Sequence, residues 1–103
     1  MRSTEEVVTE IVERFRIAKL AQVTGYNRFT WVGETPSAVV VGREAGKDTR
    51  IPRAVLAQAI EAVRADPAIY GAGPGRLADH GIKFINSPVW ALLHLCEQAE
   101  LTK

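Results

Sequence analysis

Three groupings in this 103-residue chain have residue types that could do chemistry: a glycine-rich run, a histidine close to a cysteine, and cationic residues mixed with aromatics. Gly71, Gly73 and Gly75 could let backbone N–H groups approach an anion, as phosphate-cradling loops do at a helix N-terminus. Such loops follow a buried strand. This run instead follows Asp66, Pro67, Ala68, Ile69 and Tyr70 at the end of an expected helix, with neither the Walker lysine nor the full dinucleotide spacing. A turn-forming role is the expectation, with an anion site built with Arg76 as the alternative.

His94 and Cys96 stand two apart on an expected helix, so their side chains point to different faces and cannot form a thiolate-imidazole pair within it. Cys96 falls in an apolar stripe with Val89, Leu92 and Leu93 and reads as a buried structural cysteine, whereas His94 lies at the boundary. Asp79 and His80 are adjacent, but adjacency in sequence does not aim a carboxylate at an imidazole nitrogen. With two histidines and one cysteine at no ligand spacing, neither a metal site nor a cofactor is expected, and the chain reads as non-catalytic.

The cationic residues form two groups. Arg14, Arg16, Lys19 and Arg28 are interleaved with Phe15, Tyr26, Phe29 and Trp31, and no acidic residue falls between positions 14 and 33. Such a mixture can neutralise phosphates and stack on bases, although Phe15 also belongs to a helical core stripe and the same charges would suit a solvated face. Arg43, Lys47, Arg50 and Arg53 make the second group, diluted by Glu44 and Asp48. A wing-like hairpin contacting phosphate is one reading of it. A helix-turn-helix is disfavoured, because the last helix offers mainly apolar side chains where base edges need polar ones.

These residues must be positioned by one small domain, 1–103. Its 47% hydrophobic and 24% charged residues match a globular rather than a disordered composition. Thirteen Lys and Arg against twelve Asp and Glu leave a net charge of +1, too small to steer a polyanion globally, so any nucleic-acid contact must be local. The lone cysteine cannot form an internal disulfide, and the early Glu5 and Glu6 do not suit a secretory signal; a cytoplasmic location is therefore expected. The longest apolar run, 89–96, is too short to cross a bilayer, so no membrane association is expected.

The fold class expected is α+β, with about four helices and a small antiparallel hairpin or three-stranded sheet. Ser3 and Glu6 have capping-box spacing, and Val7, Val8, Ile11, Val12, Phe15 and Ala18 share one face at about 100° per residue. That first helix is expected to end between positions 20 and 24, with Gly25 as its stop. Aromatic and β-branched residues at 28–32 and 38–41 predict two strands, and 49–51 a third. Pro52 opens a second helix reaching about Ala65, 74–80 forms a short third helix closed by Gly81, and Asn86 or Ser87 before Pro88 starts a fourth reaching about Glu100.

Trp90 projects beside His94 and Glu97, away from the stripe of Val89, Leu92, Leu93 and Cys96, so a single core does not easily bury both sides. It packs either under a loop of its own chain or against a partner. The favoured function is a non-catalytic binding or regulatory module associated with nucleic acid. The alternative is a protein-interaction module, a homodimer or adaptor using Trp90, His94 and the apolar C-terminal helix. Burial of Cys96 predicts slow reaction with a thiol reagent in the native protein and fast reaction in denaturant; equal rates would contradict it.

Overall fold

Ser3 and Glu6 close a reciprocal capping box: the Glu6 N–H donates to Ser3 Oγ at 3.1 Å, and the Ser3 N–H donates to Glu6 Oε1 at 3.1 Å. They open α1 (Thr4–Ala18) in the computed structural model, which describes residues 2–102. Val7, Val8, Ile11, Val12 and Phe15 form its buried stripe, as the spacing requires. The helix stops earlier than the glycine signal suggested. Lys19 itself takes the left-handed conformation, with φ 64°, and its N–H caps the Phe15 carbonyl at 2.8 Å. Ending there frees Leu20–Ala21 to become β1, a strand the sequence did not announce.

The remaining elements are β2 (Phe29–Thr35), β3 (Ala38–Arg43), β4 (Thr49–Pro52), α2 (Arg53–Ala65), α3 (Ile69–Ala72), a 3₁₀ helix (Pro74–His80), α4 (Asn86–Leu93) and α5 (Gln98–Thr102). The fold is thus α+β, with four antiparallel strands in the order β1-β2-β3-β4 rather than two or three. Ala21, Phe29, Val39, Val41 and Ile51 are buried, and Trp31 meets Phe15 edge-on at 5.4 Å between ring centroids. Phe29 and Trp31 pair with Arg43 and Val41, while Thr30 between them pairs with Gly42. A Cβ at Gly42 would lie 2.6 Å from Thr30 Oγ1, so glycine there leaves room for the Thr30 side chain on the facing strand. Between Trp31 and Gly33 the register slips, leaving Val32 as the extra, exposed residue of a bulge.

One hydrophobic cluster joins α1, the sheet, α2 and α4. Leu56, Ala59, Ile60, Ala62 and Val63 supply the α2 stripe. The last expected helix breaks into two. After Leu93 the N–H groups of His94, Leu95 and Cys96 bond to Ala91, Leu92 and Leu93 at 3.1 Å each, the tighter three-residue spacing that ends an α-helix. Arg14 then takes the Leu95 carbonyl at 2.9 Å and grips Glu100 at 2.6 and 3.0 Å, fixing α5 against α1. Arg64, with only 12% of its side chain exposed, donates to the carbonyls of Leu101 and Arg2 at 2.8 Å each and to Thr4 Oγ1 at 3.1 Å. Among the described residues no helix is long and apolar enough to cross a membrane.

Hydrogen bonds from Arg14, helped by the Glu97 N–H, pull the Glu100 carboxyl from 4.5 down to about 2. A carboxyl that binds its proton less readily in the folded chain contributes stability above its unfolded pKa and loses it as pH falls through the folded one. Glu100→Gln is therefore expected to be less stable than the parent protein at neutral pH. Denaturant midpoints should show the gap narrowing as pH falls from about 4.5 to about 2; a gap constant over that range would contradict the pairing.

Candidate functional site

The antiparallel register brings the end of β1, the start of β2, the end of β3 and the start of β4 to one edge of the molecule. Two loops meet there, 22–28 and 44–48, and the Arg28 N–H ties them by donating to Glu44 Oε2 at 2.6 Å. Beside them lies a pocket of about 160 Å³ lined by Gly25, Tyr26, Asn27, Phe29, Pro74, Ser87, Trp90 and Ala91. Drug-sized ligands occupy sites of roughly 300–1,000 Å³, so this pocket is smaller than those. A larger groove of about 510 Å³ runs along α1, lined by Arg2, Thr9 and four glutamates. It is an open helix face on which Glu6 serves the cap and Glu10 and Glu13 serve ion pairs.

Trp90 is the inner wall of the smaller pocket. It is only 3% exposed, and the second surface that its position off the stripe demands comes from the same chain. Its indole N–H donates to the Ile69 carbonyl at 2.9 Å, Tyr26 packs edge-on against it at 4.8 Å, and His94 lies tilted at 4.5 Å. His94 stacks on Tyr70 at 3.8 Å, and its Nε2 lies 2.7 Å from the Tyr70 carbonyl. A carbonyl only accepts, so Nε2 carries the proton. Burial lowers the pKa of His94, partly offset by that bond, and keeps the ring neutral in its stack. Tyr70 Oη donates to the Cys96 carbonyl at 2.7 Å, while burial pushes the buried Cys96 thiol up and away from the reactive thiolate.

The glycine-rich run serves this wall. Gly73 sits at φ 102°, ψ 173°, a conformation essentially closed to other residues, and a Cβ there would lie 3.0 Å from Tyr26 Oη. Gly71 is inside α3 and Gly75 inside the 3₁₀ helix, so the three glycines do not form one continuous cradle. Arg76 is engaged by Asp66 at 2.6 Å.

The cationic residues are divided by the fold. Arg14 is held by Glu100 and Glu10, and Arg16 by Glu13 and Glu34. Lys19 Nζ lies 5.5 Å from the Trp31 ring centroid, Arg50 bonds Ser37, and Arg53 bonds Thr9. Arg28, Arg43 and Lys47 lie in or next to the two loops, together with Glu44 and Asp48, and among the described residues none of the three cations is in an ion pair. The Arg43 guanidinium lies 5.8 Å from the centroid of Phe29, a pocket residue. Of the interleaved aromatics, Phe15 and Phe29 are buried and Trp31 packs on Phe15; Tyr26, 45% exposed, is the one turned toward solvent.

Sequence reasoning missed Phe84. It is 91% exposed at φ 68°, next to Lys83, in the segment that leads from the 3₁₀ helix into α4. Asn86 Nδ2 holds the start of α4 to the Pro74 carbonyl at 3.2 Å. An aromatic residue in a short loop between Gly81 and the Ser87-Pro88 start signal was the available clue. Among the described residues no group of three His, Cys, Asp or Glu could hold a metal ion. No family model, curated protein or solved structure matches this chain.

Because Gly73 combines a glycine-only conformation with contact to Tyr26, Gly73→Ala is expected to lower stability by about 1–3 kcal/mol. Urea unfolding measures this. A variant as stable as the parent would show that the loop can relax away from Tyr26.

Proposed function

We propose that this chain is a non-catalytic binding module that associates with nucleic acid through the edge formed by loops 22–28 and 44–48. One observation carries the reading: Arg28 and Arg43, neither in an ion pair among the described residues, flank Phe29 at the edge of a pocket whose exposed aromatic is Tyr26. Guanidinium groups suit the phosphate backbone because their planar donors match its oxygens, and the half-exposed ring of Tyr26 beside them suits a base. The chain's net charge of +1 makes such binding a local event that depends on these few side chains.

A homodimer or adaptor built on Trp90 is the weaker reading. Trp90 has almost no surface left to offer, and the apolar side of α4 is spent on the core. Of the groups weighed for nucleophilic chemistry, burial pushes the Cys96 thiol up and His94 is committed to the Tyr70 carbonyl.

Binding is expected to both single- and double-stranded DNA at low salt, weakening as salt rises. Three phosphate contacts give a slope of log affinity against log salt of about −3 on duplex, and Arg28→Gln or Arg43→Gln each lower its magnitude by about one. Arg16→Gln, which alters an ion-paired residue at the far end of β2, should leave the slope unchanged. Absence of binding at low salt would refute the proposal.

A further inference from the structure

A side-chain carboxylate, rather than a main-chain bond, joins loops 22–28 and 44–48. Phe29 pairs with Arg43, so one step beyond the paired residues of β2 and β3 stand Arg28 and Glu44. The bond between them runs from the Arg28 N–H to Glu44 Oε2 at 2.6 Å. Both residues are exposed, and among the described residues neither Glu44 nor Arg28 nor Arg43 is in an ion pair. The chain thus supplies its own anion to a main-chain donor that belongs to one arginine, from a glutamate next in sequence to another.

Main-chain N–H groups and arginines are both common phosphate donors, and a single N–H makes one strong charge-assisted bond. Resting on the nucleic-acid reading above, we propose that Glu44 is an internal competitor of phosphate. Its carboxylate holds the Arg28 N–H in the free protein, and a phosphate oxygen of the nucleic acid takes that donor when Glu44 swings away. The exchange replaces one charge-assisted bond by another, and an exposed carboxylate is hydrated once released. No covalent bond changes. Binding is weaker than the arginines alone would give, because the carboxylate must first be displaced.

Asp48 provides the control. It lies in the same loop with the same charge, but its carboxylate is turned toward Gly42, with Oδ1 3.7 Å from where a Cβ on that glycine would stand. Glu44→Gln and Asp48→Asn raise the net charge equally, so an effect of charge alone moves both alike. Affinity for a short DNA duplex is measured at low salt for the parent and both variants, with urea midpoints to confirm that each is folded. Glu44→Gln is expected to bind about tenfold more tightly than the parent, and Asp48→Asn no more than about threefold. In the parent, the carboxyl carbon resonance of Glu44 should shift as the duplex saturates the protein. Equal gains from the two variants, a Glu44→Gln protein that binds no better than the parent, or a Glu44 resonance that stays fixed at saturation would overturn the competition while leaving the phosphate-contact reading standing. The absence of a gain is the result expected of a bond that only orders the loops. If neither the parent nor Glu44→Gln binds at low salt, the reading and the competition fall together.

Discussion

The indole of Trp90 joins parts of the chain that lie far apart in sequence: α4, which carries it, the Ile69 carbonyl at the start of α3, and Tyr26 in the loop before β2. A buried N–H without an acceptor would be costly, so α3 must present that carbonyl, and the short helix following Asp66 and Pro67 does so. Tyr26 can reach the indole only because Gly73 lacks a side chain where the tyrosine hydroxyl lies. The pocket at the sheet edge is the space left once these three contacts are made. Its shape is therefore a product of core packing, which gives it a rigidity that loops alone would lack.

Electrostatics then sort the cations by neighbourhood. Along the sequence Arg14, Arg16, Lys19 and Arg28 look like one basic run, yet the helix turns Arg14 toward α5 and Arg16 toward β2, where carboxylates take both. The more exposed pairs of Arg16 contribute little to stability, but both sets remove charge from any external partner. The cations that escape pairing among the described residues include the three at the loop-bearing edge of the sheet.

Much of this was legible in the sequence where one periodicity or one local signal decides the outcome. The α1 stripe, the Ser3 cap, the strands at 28–32 and 38–41, α2 and the Gly81 stop all follow from local rules. The misses have non-local causes. Lys19 adopts the left-handed cap because β1 must peel away and pair with β2, as the Trp31 N–H bonded to the Lys19 carbonyl at 3.0 Å shows. α4 stops at Leu93 because Arg14, eighty-one residues before Leu95 in the chain, takes up a carbonyl freed by the break. Trp90 lay off the stripe in projection, and no local pattern could reveal that Tyr26 and Ile69 would cover it. Phe84 went unremarked because a lone loop aromatic carries no signal until its backbone angle and exposure are known.

Arg64 has a consequence for how the chain opens. Its guanidinium is nearly enclosed, and its bonds reach Arg2, Thr4 and Leu101, so one side chain from the last turn of α2 holds both ends of the described chain. Termini ordinarily fray independently, each at little cost. Here, release of α5 would strip a partner from the same nearly enclosed guanidinium that steadies the start of α1. The first and last turns therefore behave as one cooperative unit, and their amide hydrogens should exchange with solvent together.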